Sequence, residues 1–345
     1  MTLCLKSLRV GAIAVVIIGL WIGAAKGQTP ESDSPRTSWG APDLQGVWDF
    51  RTITPLERPE DLTGQEFLTA EEASAYAEGQ SRRLNRDLID SAQGGLNYAP
   101  EADGGVVPYN EFWYDRGTSV ISSRRTSLII DPPDGRLPTL TPEAQRSADA
   151  QREIGRDEQR GRPLANSYED RGPSDRCIQH SKAGPPINPG AYNNNMQLFQ
   201  TPGHIAILNE QIHSVRVIPV DGPAHLGGQI RLWMGDSRAH WDGETLVVET
   251  TNFSGKHEQV GRPGLSSGER LSLTERFTRQ DAETLVYEYT VTDPATWVKP
   301  WTAQVPMKKN PELLYEYACH EGNYSIATIL RGARLEEKAA GEAAR

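Results

Sequence analysis

Cysteine is scarce in this chain: among 345 residues only Cys4, Cys177 and Cys319 occur, far apart from one another. None has a neighbour at zinc or iron–sulfur spacing, which argues against a cysteine-based metal centre. Histidine is sparse too. His204, His213, His225 and His257 form neither H-x-H nor H-E-x-x-H, so no metal site is expected. A phosphate-binding glycine loop and a dinucleotide fingerprint are missing, and no serine is read as a conventional nucleophile elbow, so any chemistry is expected to be cofactor-free. Cations are in deficit, 36 against 46 carboxylates for a formal charge of −10. That sign argues against nucleic acid or an anionic membrane surface as partner.

Long apolar runs are absent except at the start, where Lys6 and Arg9 precede an uncharged stretch at 10–25 and small residues lead to Gln28. This is the build of a cleaved secretory signal peptide over 1–27. The stretch is shorter than the roughly 20 residues that span a bilayer comfortably. The mature chain is therefore expected to be secreted or periplasmic, without stable membrane insertion. Cleavage would remove Cys4, Lys6, Arg9 and Lys26, taking the formal charge to −13. It would leave Cys177 and Cys319 in an oxidising compartment, where a disulfide is expected.

Residues 28–40 are polar and read as a disordered leader, 41–335 as a single large β-rich domain, and 336–345 as a polar tail. A first strand is read at 44–50. Thr69 and Glu72 form a capping box for a helix over 69–88, and Pro142 at a first helical position opens another over 141–159. Short β-prone runs fall at 118–123 and 126–131, followed by a turn at Asp131-Pro132-Pro133-Asp134-Gly135. Strands then follow closely at 196–200, 204–208, 213–219, 229–234, 245–251, 270–278, 284–292, 302–307 and 313–319. Leu271, Leu273 and Phe277 alternate with Ser272, Thr274, Arg276 and Thr278, as Tyr287, Tyr289 and Val291 do with Glu288, Thr290 and Thr292. Asp242-Gly243 is a hairpin signal. The fold class is therefore mainly β, an antiparallel meander closed into a barrel, with a β-sandwich as the alternative.

Gly46-x-Trp48 on the first strand resembles the N-terminal signature of lipocalin-like (calycin) proteins, in which a Trp packs across the barrel floor. The chain departs from them in its greater length and helical insertions. A wider resemblance, over nearly the whole mature chain, is to a group of secreted bacterial proteins without an established activity. It rests on PDLQGVW (42–48), TPLERP (54–59), DPPDGRLPTLTPEA (131–144), DRC (175–177), QTPGH (200–204), WDGETLVVETTNF (241–253), LTERF (273–277) and YEYACHEGNY (315–324). It implies a family and no catalytic residues.

The densest chemistry lies in 315–324. There Glu316 and His320 would share one strand face, opposite Tyr315, Tyr317 and Cys319, with Glu321 adjacent. His320 could transfer protons with Glu316 or Glu321 orienting it, or it could merely occupy a turn. Asp236, Arg238 and His240 fall at i, i+2 and i+4, so a strand would align them as a second acid/base face or as an ordinary solvated one. Tyr192, Asn193, Asn194 and Asn195, in a Pro- and Asn-rich loop after Cys177, could hold a polyhydroxylated or phenolic ligand or serve turn chemistry. Trp233 and Tyr317 are further candidates for stacking on a ligand ring. The expected function is acid/base chemistry of lyase, isomerase or hydrolase type on a small, partly apolar molecule in a β cavity. The alternatives are a carrier with the same cavity and an interaction module of the envelope.

Overall fold

Backbone pairing gathers strands from both halves of the chain into one sheet. In chain order these are β1 (Gly46–Asp49), β2 (Ile129–Asp131), β3 (Asn195–Gln200), β4 (His204–Asn209), β5 (Val215–Pro219), β6 (Asp236–Asp242) and β7 (Thr245–Thr251). A separate hairpin of β8 (Glu258–Gln259) and β9 (Arg262–Ser266) follows, then β10 (Ser272–Arg279), β11 (Thr284–Thr292) and β12 (Trp301–Asn310). Helices α1 (Ala70–Leu84), α2 (Pro142–Gln159) and α3 (Ser325–Ala343) lie outside the sheet. This computed structural model describes residues 35–90, 92–93, 109–159, 165–180, 182–256, 258–259, 262–266 and 268–343. The segment read as a signal peptide and His257 lie outside them. Among the described residues no helix is long and apolar enough to cross a membrane.

The sheet runs β5-β4-β3-β1-β12-β11-β10-β7-β6, with β2 added on β12. The expected closure into a barrel does not occur. Nine antiparallel neighbours in a row leave the two edge strands pointing the same way, so a closing seam would have to be parallel. Among the described residues that seam is a single parallel bridge between Val220 and Ala239, after which the chain leaves in the 221–235 loop. The sheet instead folds over until inner faces of distant strands meet, which fits the β-sandwich alternative better than a barrel.

Alternation places the core as the sequence predicts. Along β10 and β11 every second residue is buried, and Phe277, Tyr287 and Tyr289 have no exposed surface. An aromatic ladder fills the interior, with ring centroids 4.8 Å apart for Phe277–Tyr287, 5.5 Å for Tyr287–Tyr289 and 5.7 Å for Tyr289–Trp301. Trp48 is also fully buried, its indole N–H donating to the Leu44 carbonyl and the Arg279 guanidinium lying 5.2 Å from its ring centre. The loop at 183–188 turns inward, where the Ile187 amide donates to the Tyr287 hydroxyl at 3.0 Å and the Tyr289 hydroxyl donates to Asn188.

One inward position breaks the apolar rule. Glu275 on β10 has no exposed surface and receives both arms of Arg216 from β5, at 2.6 and 2.9 Å. The Tyr287 hydroxyl adds a third donor at 2.8 Å. Burial first, and then the Glu275 charge, push the Tyr287 phenol far above its ordinary range, so it acts here as a neutral donor. Five strands lie between β5 and β10 in the sheet order, so this pair can form only because the sheet folds over.

Local expectations fare unevenly. The Thr69–Glu72 capping box forms, and Asp242-Gly243 turns β6 into β7 with Gly243 at φ +59°. Residues 118–123 make no strand, and only Ile129–Asp131 of the 126–131 run does. Residues 229–234 form a loop rather than a strand, because β6 already pairs with β7 and Gly235, at φ +67°, turns the chain under the Thr251 carbonyl. Residues 313–319 are not a strand either. Pro311 stops the ladder of β12, and the exposed Leu313 and Tyr315 have no sheet to join. The tail beyond is helical, with Ile326, Ile329, Leu330 and Ala333 on its half-buried stripe.

Removing one partner of the buried ion pair strands the other charge, so Arg216→Met or Glu275→Gln alone should cost about 3–5 kcal/mol, and the double replacement clearly less than the sum. Guanidinium chloride unfolding of the four proteins checks this, and strict additivity would contradict the pairing. A Cys177→Ser, Cys319→Ser variant should lose up to roughly 5 kcal/mol, because the bond closes a separation of 142 residues.

Candidate functional site

The disulfide between Cys177 and Cys319 forms as expected, with the two Cα atoms 5.9 Å apart. It ties the loop around 171–177 to the 315–324 segment. Between them lies a cleft of about 550 Å³. It is lined by Arg171, Ser174 and Asp175 from the first segment and by Glu316, Tyr317, Ala318, Cys319 and Asn323 from the second, together with Ser325 and Ile329 of α3 and Tyr109. The second segment holds its shape through local bonds. The Cys319 amide donates to the Tyr317 carbonyl at 2.9 Å, Asn323 accepts from the Ser325 amide at the start of α3 at 3.1 Å, and Gly322 turns at φ +69°.

The cleft is amphipathic in its chemistry. Arg171 pairs with Asp175 at 3.1 Å through a terminal nitrogen, while its Nε is buried and has no partner among the described residues. Tyr109, Tyr317 and Tyr114 stand close enough to Tyr192 to join burial, the larger cause, in pushing its phenol above the ordinary range. Tyr192 is half-buried, its ring 6.4 Å from Tyr114. A second cleft of about 500 Å³ has Tyr114 in its lining. Five of its charged side chains pair with one another: Arg51 bonds Asp49 and Asp115 at 2.6 Å each, and Arg116 bonds Glu111 at 2.8 Å while covering the Tyr114 ring.

Of the residues singled out from sequence, the structure thus brings Glu316, Tyr317 and Cys319 to one cleft, with Tyr192 beside Tyr317. Glu316, His320 and Glu321 are exposed and lie on irregular chain, so the shared strand face expected for Glu316 and His320 does not exist. Asn193 takes a left-handed turn conformation at φ +55°. Asn194 and Asn195 are committed to architecture. The first bonds Gly190 and the Asp115 carbonyl, and the second bonds Glu210 and Asn310. Trp233 is half-buried in the 221–235 loop.

Asp236, Arg238 and His240 do lie on one strand, β6, but only the first two meet. Asp236 is buried and accepts from Arg238 at 2.7 Å, from the Leu226 amide at 2.9 Å and from His225 Nδ1 at 3.0 Å, whereas His240 is exposed. Arg238 also donates to the Pro223 carbonyl. Burial, the largest influence, would raise the Asp236 carboxyl, but the Leu226 amide, His225 and Arg238 together outweigh it and hold the group below the ordinary range. Sequence reasoning missed His225 because a loop residue 11 positions away has no periodic relation to the strand. It also missed Arg171 and Tyr109, although Arg171 and Asp175 stand at i, i+4, a spacing at which pairs meet. Gly264-x-Ser266-x-Gly268 has the spelling of a nucleophile elbow. Ser266, however, closes β9 of the small hairpin, and the next described element is the strand β10, not the helix that an elbow requires.

No protein-family model matches this chain, and neither a curated protein nor a solved structure is significantly similar to it. Residue roles therefore rest on geometry alone.

Because the folded-state carboxyl of Asp236 sits below its unfolded value, its contribution to stability is complete above the ordinary carboxylate range and is lost as pH falls through the folded-state value. Asp236→Asn should be less stable than the parent at neutral pH and lose stability less steeply on acidification. Denaturation midpoints followed down to about pH 2 check this, and an unchanged acid limb would contradict the assignment.

Proposed function

We propose that this chain is a secreted or periplasmic protein that binds a small ring-bearing, polyhydroxylated or phenolic molecule in the cleft between its two disulfide-joined walls. The observation that carries the reading is the convergence on that cleft of tyrosine rings, Tyr109 and Tyr317, with Arg171, Asp175 and Glu316. Rings provide flat apolar contact, while a guanidinium and two carboxylates suit hydroxyl groups, the usual division of labour in a small-molecule site. The extracytoplasmic location is supported by the disulfide, which persists in oxidising compartments, and by the signal-like sequence at 1–27.

A second reading is supported by the carboxylates. Asp175 and Glu316 line the same cleft from its two joined segments, and His320 and Glu321 follow directly on the Glu316 segment. In that reading the cleft performs acid/base chemistry of lyase, isomerase or hydrolase type, with Glu316 as the proton-transfer group and His320 assisting.

A thermal-shift panel of monosaccharides and hydroxylated aromatic acids tests both. Binders are expected to raise the melting temperature, and Tyr317→Ala and Arg171→Gln to weaken them about tenfold or more while leaving the free protein folded. If a binder is also converted, Glu316→Gln should lower kcat by about 100-fold or more with little change in KM. Binders that ignore both cleft substitutions would place the site elsewhere.

A further inference from the structure

We infer that the cleft is one end of a longer binding surface and that its ligand is a neutral oligosaccharide, which runs from it over Phe112 and Trp113 into the second cleft. The inference rests on the reading of the first cleft as a site for a polyhydroxylated molecule. Both clefts, of about 550 and about 500 Å³, have the volume of a small-molecule site, and the short segment at 109–114 contributes to both. Tyr109 lines the first; Glu111 and Tyr114 line the second. Tyr109 and Glu111 are two residues apart in the chain, so their Cα atoms are at most about 7 Å from each other and the two linings nearly adjoin. Tyr192 links them as well, close to Tyr109 and Tyr317 of the first lining and with its ring 6.4 Å from that of Tyr114 in the second.

Along this segment the chain presents aromatic rings to solvent. Phe112 is 81% exposed and Trp113 62%, with their rings 5.3 Å apart and nearly perpendicular, and Tyr109 is 52% exposed. Single exposed rings need no explanation, but three on one short stretch mark a contact surface. Hydrogen bonds hold that stretch in place. The Tyr114 amide donates to the Glu111 carbonyl at 3.0 Å and the Asp115 amide to the Ala191 carbonyl at 2.8 Å, while the Glu111 carboxylate accepts from the Arg86 amide and from Arg116. Rings on a backbone fixed in this way have less freedom to lose on binding. A sugar chain suits such a surface, because its C–H faces pack on aromatic rings and its hydroxyls take polar partners at either side. The second cleft supplies those partners through Thr118, Ser119, Ser122 and Thr284, and its paired carboxylates keep lone pairs beyond those the guanidiniums use. Charge narrows the class. Arg51, Arg116 and Lys308 balance Asp49, Glu111 and Asp115 in that lining, and the chain as a whole carries −10, so nothing favours a polyanion.

Isothermal titration calorimetry tests this with cellohexaose, xylohexaose and maltohexaose against glucose and xylose, and with hexagalacturonate as the acidic chain. At least one neutral hexasaccharide should bind about a hundredfold or more tightly than its single sugar. Trp113→Ala, at an exposed position, and Ser122→Arg, which crowds the second cleft, should each weaken that chain about tenfold and leave single-sugar binding unchanged, whereas Tyr317→Ala should weaken both. A chain no tighter than its unit, hexagalacturonate bound as tightly as the neutral chains, or a hexasaccharide indifferent to Trp113→Ala and Ser122→Arg would overturn the inference and leave the first cleft standing. A hydroxylated aromatic acid as the sole binder would do the same. No binding of any of these molecules would overturn the inference together with the reading on which it rests.

Discussion

The ion pair between Arg216 and Glu275 is the constraint on which the interior depends. Without it β5 and β10 would be distant strands of an open sheet; with it, two inner faces are held together and the aromatic ladder between them is sealed from water. Burying two charges is unfavourable unless every valence is met. Tyr287 and the inward loop at Ile187 meet several of them, so the polar network and the loop at 183–188 are one device. It fixes which strands face each other, a role apolar residues alone would leave less specific.

The cleft lies outside this sealed interior and has a different origin. It exists because the disulfide anchors a segment that otherwise has no sheet to join. The 315–324 stretch has exposed tyrosines and no apolar face to bury, so Cys319 and the first turn of α3 must position it. A site of this kind combines a rigid scaffold with a locally restrained loop, the arrangement in which recognition residues most often occur.

Much of the architecture was legible in the sequence, for identifiable reasons. Alternation placed Phe277, Tyr287 and Tyr289 inward, the capping box placed the start of α1, and Asp242-Gly243 placed the hairpin. The same alternation puts Glu275 inward, but nothing local names Arg216 as its partner 59 residues away. Barrel closure failed on parity, which depends on how many strands join the path and is invisible to the periodicity of any one of them. The 313–319 run looked β-prone because of its tyrosines, but side-chain preference does not supply a pairing partner. At the candidate site, Glu316, Tyr317 and Cys319 were visible as a dense motif. Tyr109, Arg171 and Asp175 reach it through tertiary folding and the disulfide.

The central claim is that the disulfide-joined walls enclose a ligand site. A high-resolution crystal structure of the protein, purified from its native host without added ligand, tests it most directly. The account predicts density for a ring-bearing molecule against Tyr317, with an oxygen within hydrogen-bond distance of the Arg171–Asp175 pair. A cleft holding only solvent, with a co-purified molecule bound elsewhere on the chain, would contradict it.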